Sequence, residues 1–111
     1  MKPGTIVYAR PDPTVVGHEQ AERRPVMIVS GIAFAQHIPD LVIAVPLTTR
    51  DRGLSHHVSI RGDDTGLDSP TWALCEQVRA VSTARLTKIL GSANHETVLS
   101  IKRIIALFLD L

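Results

Sequence analysis

Five short runs of β-type residues fill the first eighty-one positions, and a stripe at helical spacing closes the chain. Few folds bury apolar residues arranged this way. Residues 5–10 are short and β-rich. Residues 25–30 (PVMIVS) and 41–48 (LVIAVPLT) are continuous apolar runs of strand length. Residues 57–60 alternate, and residues 72–81 alternate over part of their length. On that last strand Gln77 and Arg79 would share one face, with Leu74 and Val78 on the other. Pro46 should end its strand or place it at an edge, because proline donates no ladder hydrogen bond. Loops rich in Pro, Gly, Asp and Thr separate the runs at 11–20, 49–55 and 61–71. Residues 83–86 suit one helical turn before a short strand at 87–90.

The C-terminal stretch has a different period. Ser92 or Asn94 can cap a helix that runs to about Leu109. Val98, Ile101, Ile105 and Phe108 form its core-facing stripe, which Leu99, Ile104 and Leu107 widen. A helix this apolar is expected to cover a sheet and to meet a second chain. The order predicts a mainly β fold with a C-terminal helix. The sheet would be a small, strongly twisted antiparallel one or an SH3-like barrel. With 111 residues, the whole of 1–111 reads as one domain.

Composition narrows the function. The formal net charge is only +1, so any phosphate contact must come from a local patch. Nine of the twelve cations are arginines, which grip phosphate bidentately. The single cysteine, Cys75, excludes an intrachain disulfide and a cysteine-based zinc site; a buried, inert thiol is expected. The N-terminus lacks an apolar run, so no secretory signal is expected. Residues 101–111 are too short to span a membrane and carry Lys102 and Arg103. A cytoplasmic protein follows as the expectation.

Several local sequences line up in order. They are Gly4, Ile6-Val7-Tyr8, Asp12-Pro13-Thr14 and Gly17-His18-Glu19-Gln20. Arg23-Arg24-Pro25-Val26-Met27-Ile28-Val29-Ser30 and Pro46-Leu47-Thr48-Thr49 follow. Then come Leu74-Cys75-Glu76-Gln77-Val78-Arg79, Arg85-Leu86 and Leu90-Gly91, before the apolar helix. From Gly4 to Leu111 the chain resembles the MazF/PemK (Kid) toxins, which share a dimeric fold with the gyrase poison CcdB. The resemblance implies a barrel-like twisted sheet, a homodimer, and a cognate antitoxin whose tail fills the RNA groove. It implies a metal-independent endoribonuclease that cuts single-stranded RNA, mRNA foremost, to 2′,3′-cyclic phosphate and 5′-hydroxyl ends, and so inhibits translation. The family's usual Gly-Ser-Glu-Gln stands here as Gly17-His18-Glu19-Gln20, and the loop from Pro13 to Arg24 is one residue longer, at Val15-Val16. Both departures bear on base specificity.

The resemblance also assigns residues. Arg24, beside Pro25 where a loop meets a strand, is placed as the catalytic arginine that neutralises the transition-state phosphate. Thr48, ending a buried strand, is the hydroxyl beside the scissile phosphate; Thr49 is its neighbouring alternative and a candidate RNA contact. Gln20 and Gln77 have amides able to read unstacked bases. Glu19, His57 and Arg79 complete the expected RNA-binding set, and the general base stays open, with Glu19 and His57 both considered. Arg50 and Arg52 lie in a loop that can funnel the backbone. His56 and His57, adjacent on a strand, should point to opposite faces and so not act together. No spacing among His18, His37 and His95 suggests a metal, so neither metal nor cofactor is expected. Two other readings stay open. One is a CcdB-like gyrase inhibitor, against which the chain ends Phe108-Leu109-Asp110-Leu111 without that protein's tryptophan and glycine. The other is a degenerate toxin that only binds its antitoxin and regulates its operon.

Overall fold

The computed structural model describes residues 1–11 and 23–111. Seven strands form one antiparallel sheet: β1 (Thr5–Ala9), β2 (Arg24–Ile28), β3 (Leu41–Thr48), β4 (His57–Ser59), β5 (Trp72–Leu74), β6 (Arg79–Ser82) and β7 (Leu86–Ser92). A short helix α1 (Ile32–His37) joins β2 to β3, and α2 (His95–Phe108) closes the chain. The spatial order is β4-β5-β3-β2-β1-β7, with β6 also paired to β3. Of the two forms anticipated, this is the twisted open sheet: β4 and β7 end the path and do not pair.

β3 organises the sheet. One side pairs with β2; the other pairs first with β6 (Leu41↔Ser82 to Ala44↔Arg79) and then with β5 (Leu47↔Ala73, Thr48↔Trp72). Pro46 falls between those two ladders. The strand therefore runs two residues past it instead of ending, because at that point no ladder on the β5–β6 side asks for a donor.

The run at 72–81 is not one strand. A turn of 3-10 helix, Cys75–Gln77, divides it into β5 and β6. Alternation holds through buried Ala73 and Cys75, then fails at the consecutive exposed pair Glu76 and Gln77. Gln77 therefore sits on the turn and Arg79 opens β6, so they do not share a strand face. The helical turn expected near 83 is present as Thr83–Arg85. α1 had no sequence signal; it is six residues long, buries none of them, and its N-cap Gly31 offers no side-chain cap.

The continuous apolar runs reflect burial on both faces of the sheet. Successive residues alternate between two clusters. Ile6, Met27, Val45, Ala73 and Cys75 pack with Val98 and Ile101 of α2. Val7, Val26, Ile28, Val42, Ala44 and Val81 form the second cluster. Asn94 is the helix cap: its side chain accepts the Thr97 N–H at 2.9 Å and the Thr97 hydroxyl at 2.7 Å. The predicted stripe begins in the core at Val98 and Ile101, but Phe108 is 50% exposed. The last turn has run beyond the sheet it covers.

Candidate active site

The β2–β3 register decides where the two sequence-predicted catalytic residues meet. Its outermost pair is Val26↔Pro46. Two residues further along each antiparallel strand, Arg24 and Thr48 stand level with one another. Both line a cleft of about 350 Å³ at these strand ends, and Thr49 lines it too. Side-chain alternation puts Arg24 on the face of Val26, and Thr48 on the face of Ala44, which belong to one cluster.

Local structure prepares each group. Arg24 is exposed and paired through its backbone to Ala9 of β1, so the guanidinium stems from the rigid sheet. The Thr48 hydroxyl oxygen accepts the Arg50 N–H at 3.1 Å, a bond that turns the chain out of β3. The hydroxyl hydrogen is left to donate. Arg23 lies with its guanidinium carbon 4.6 Å from the centre of the Tyr8 ring, and both residues border the cleft.

The far wall is the loop 66–69, which brings Asp68 and Ser69 to the cleft. Two glycines let that loop lie against β7. A Cβ at Gly66, whose φ is +71°, would strike the Leu90 carbonyl; one at Gly91 would strike the carbonyl of Asp64. Ser92 N–H donates to that Asp64 carbonyl at 2.8 Å and ties the segment down.

A second polar cluster lies at the end of β4. His57 is buried, and its Nε2 stands 3.1 and 3.2 Å from the two Glu76 carboxylate oxygens. His56 Nε2 is 3.5 Å from the same carboxylate, and its ring meets that of His57 edge-on at 4.8 Å. The sequence expectation that these histidines diverge is thus overturned. His56 lies in the turn before β4, where strand alternation does not apply. Neither histidine lines the cleft of Arg24 and Thr48. Burial pushes the Glu76 carboxyl up, but its backbone hydrogen bond, the His57 hydrogen bond and the charges of His57 and His56 outweigh this and hold it below its ordinary value. Among the described residues the Glu76 carboxylate is held by the two histidines. Cys75 is fully buried, and burial together with the Glu76 charge pushes its thiol up to about 11, the inert thiol expected.

A sequence model of the PemK-like, MazF-like toxins of type II toxin–antitoxin systems matches residues 2–109. The chain belongs to this family. Its solved structural neighbours include MazF from Deinococcus radiodurans, at 22% identity and a TM-score of 0.78, covering 100% of this chain and 97% of that one. A MazE-MazF complex from the same organism superimposes with a TM-score of 0.82 at 24% identity, covering 100% and 96%. An endoribonuclease in complex with its cognate antitoxin, from a mycobacterial species, gives 0.78 at 23% identity, covering 100% and 96%. No curated protein matches. At these identities the structural likeness carries the fold alone, and it is the MazF fold anticipated from the sequence.

On this MazF-like frame the predicted site residues divide. Arg24, Thr48 and Thr49 share the cleft. His57, Gln77 and Arg79 stand apart from it, on β4, the 3-10 turn and β6. Glu19 and Gln20 lie outside the described residues. Tyr8, Arg23 and the 66–69 wall were not picked out as site residues. The signal for Arg23 was its place beside Arg24, and for the wall its Gly66. No helix among the described residues is long and apolar enough to cross a membrane.

Proposed function

We propose that this MazF-like toxin is a metal-independent endoribonuclease that cuts single-stranded RNA in the cytoplasm and so stops translation. The observation that carries the reading is the shared cleft of Arg24 and Thr48. The 2′-hydroxyl attacks the adjacent phosphorus, a 2′-O–P bond forms and the P–O5′ bond breaks. The products are a 2′,3′-cyclic phosphate and a 5′-hydroxyl end. Charge gathers on the non-bridging oxygens as this happens. Arg24 donates two N–H groups to those oxygens from a fixed stem, and the Thr48 hydroxyl donates a third bond. The 2′-proton passes to a carboxylate, Glu19 or Asp68 on the cleft wall, and the leaving 5′-oxygen takes a proton from water to become the 5′-hydroxyl.

The RNA runs on from the cleft across β5 toward β4. His57 lies two strand spacings from β3, roughly 10 Å. Gln77 reads a base there, Arg79 and Thr49 hold backbone, and Glu19 and Gln20 contact the nucleotide nearest the cut. The active form is a homodimer, supported by the exposed Leu107, Phe108, Leu109 and Leu111 at the end of α2. A cognate antitoxin inhibits it by occupying the RNA path, a partnership that the antitoxin-bound mycobacterial neighbour supports.

The test is cleavage of total RNA by purified protein, with the new ends sequenced. We expect 5′-hydroxyl ends at a short recurring motif, cleavage unaffected by EDTA, and a loss of about a hundredfold or more in Arg24→Ala. Undiminished cleavage in Arg24→Ala contradicts the mechanism, and strong inhibition by EDTA contradicts its metal independence.

A further inference from the structure

We propose that His56, His57 and Glu76 form a binding site for a divalent transition-metal ion of the zinc class, outside the cleft of Arg24 and Thr48. The ligand atoms of the three residues lie within 4.8 Å of one another. Two imidazoles and one carboxylate are a donor set that suits zinc and leaves a fourth position open for water. With bonds of about 2.0–2.2 Å, the edges of a tetrahedral zinc site measure roughly 3.3–3.5 Å. The distances to Glu76 are 3.1 Å from His57 Nε2 and 3.5 Å from His56 Nε2. The 3.1 Å gap must open slightly, and the ligand atoms of the two rings, which lie within 4.8 Å of one another, must close on the same point. The His56 side chain is 30% exposed and turns against the rings of His57 and Phe108 to do so.

The groups are also held in place. His57 is anchored on β4 opposite Leu74, with its side chain 3% exposed. Glu76 rides on the 3-10 turn between β5 and β6. The His56 ring packs edge-on against His57 and against Phe108 of α2, the latter at 5.7 Å. The ligands therefore come from two segments that are separate in sequence, with much of the ordering cost already met by the fold. His57 Nδ1 is buried and has no hydrogen-bond partner among the described residues. An ion takes the Nε2 lone pair with the ring proton on Nδ1, and the metal bonds must outweigh the cost of leaving that buried N–H unpaired. The carboxylate is ionised at neutral pH, as a ligand must be. Sequence spacing hid the site because Glu76 lies about twenty residues from the histidines.

The experiment uses tag-free, full-length protein stripped with EDTA and desalted. Zn²⁺ is titrated by calorimetry, and Co²⁺ by the visible absorption of a tetrahedral complex. We expect one saturable site per chain, and a melting temperature that rises with Zn²⁺. His56→Gln and Glu76→Gln change ligands exposed enough to leave the core intact. Each should weaken binding roughly tenfold or more and remove the thermal shift, as loss of a ligand must exceed loss of its supporting partner. His95→Gln, on a distant histidine, should bind like the parent. Absence of a saturable site in the parent, or equal binding in the parent and both ligand variants, overturns the proposal. Because the readout is binding and not cleavage, it stands or falls separately from the nuclease reading.

Discussion

Thr48 ends a strand, accepts the Arg50 N–H and presents its hydroxyl to the cleft, so one oxygen serves both turn and site. Chemistry and backbone can be separated by substitution. Thr48→Ser keeps the hydroxyl and should retain most cleavage. Thr48→Val keeps the shape without it and should lose about a hundredfold in kcat with the protein still folded. Equal activity in the two variants would show that the hydroxyl is not used. Glu76 allows a prediction about stability. Its carboxyl is held below its ordinary value of 4.5 in the folded protein. Its contribution is therefore present at neutral pH and is lost as the pH falls below that value toward the folded pKa. The urea midpoint of the parent should exceed that of Glu76→Gln at pH 7, and the gap should close on acidification. A gap that does not change with pH would contradict the pairing with His57 and His56. At this scale the site was legible only in part. Arg24 and Thr48 were marked by the strand-end blocks that carry the family resemblance. The convergence of His56 and His57 on Glu76 was not, because it depends on where the turn ends and β4 begins.

Among the elements, those whose apolar pattern is continuous or strictly periodic were readable. β3 spans the predicted residues 41–48, and α2 starts from one of its two predicted caps. What escaped was decided by pairing. The break at Cys75–Gln77 exists because β5 and β6 meet different halves of β3. The same division explains why Pro46 does not stop its strand. α1 is too short and too exposed to leave a periodic signal. The cleft wall makes a prediction at this level. Gly91→Ala places a methyl group against the backbone of Asp64 and Thr65, so the 64–69 loop must move off β7. We expect a lower melting temperature and a fall in cleavage of tenfold or more, with α2 still helical by circular dichroism. Full activity and stability in that variant would show that the loop does not shape the site.

Among the described residues the sheet is buried on both faces, α2 lies over the first cluster, and the apolar end of α2 is exposed. Leu107 is 71% exposed and Leu111 is 90% exposed. In the proposed homodimer these side chains are covered, each worth about 1.5–3 kcal/mol if fully buried. Leu107→Glu should therefore shift the mass measured by light scattering from dimer to monomer at micromolar concentration. An unchanged dimer would place the interface elsewhere. In the proposed mechanism β2 and β3 bring one guanidinium and one hydroxyl to a single phosphodiester. The most direct measurement is single-turnover cleavage of one RNA carrying the mapped motif, by the parent, Arg24→Ala, Thr48→Ala and the double variant. Two groups acting on the same transition state predict single losses of about a hundredfold or more and a double loss well short of their product. Parent-like rates in either single variant would contradict the claim.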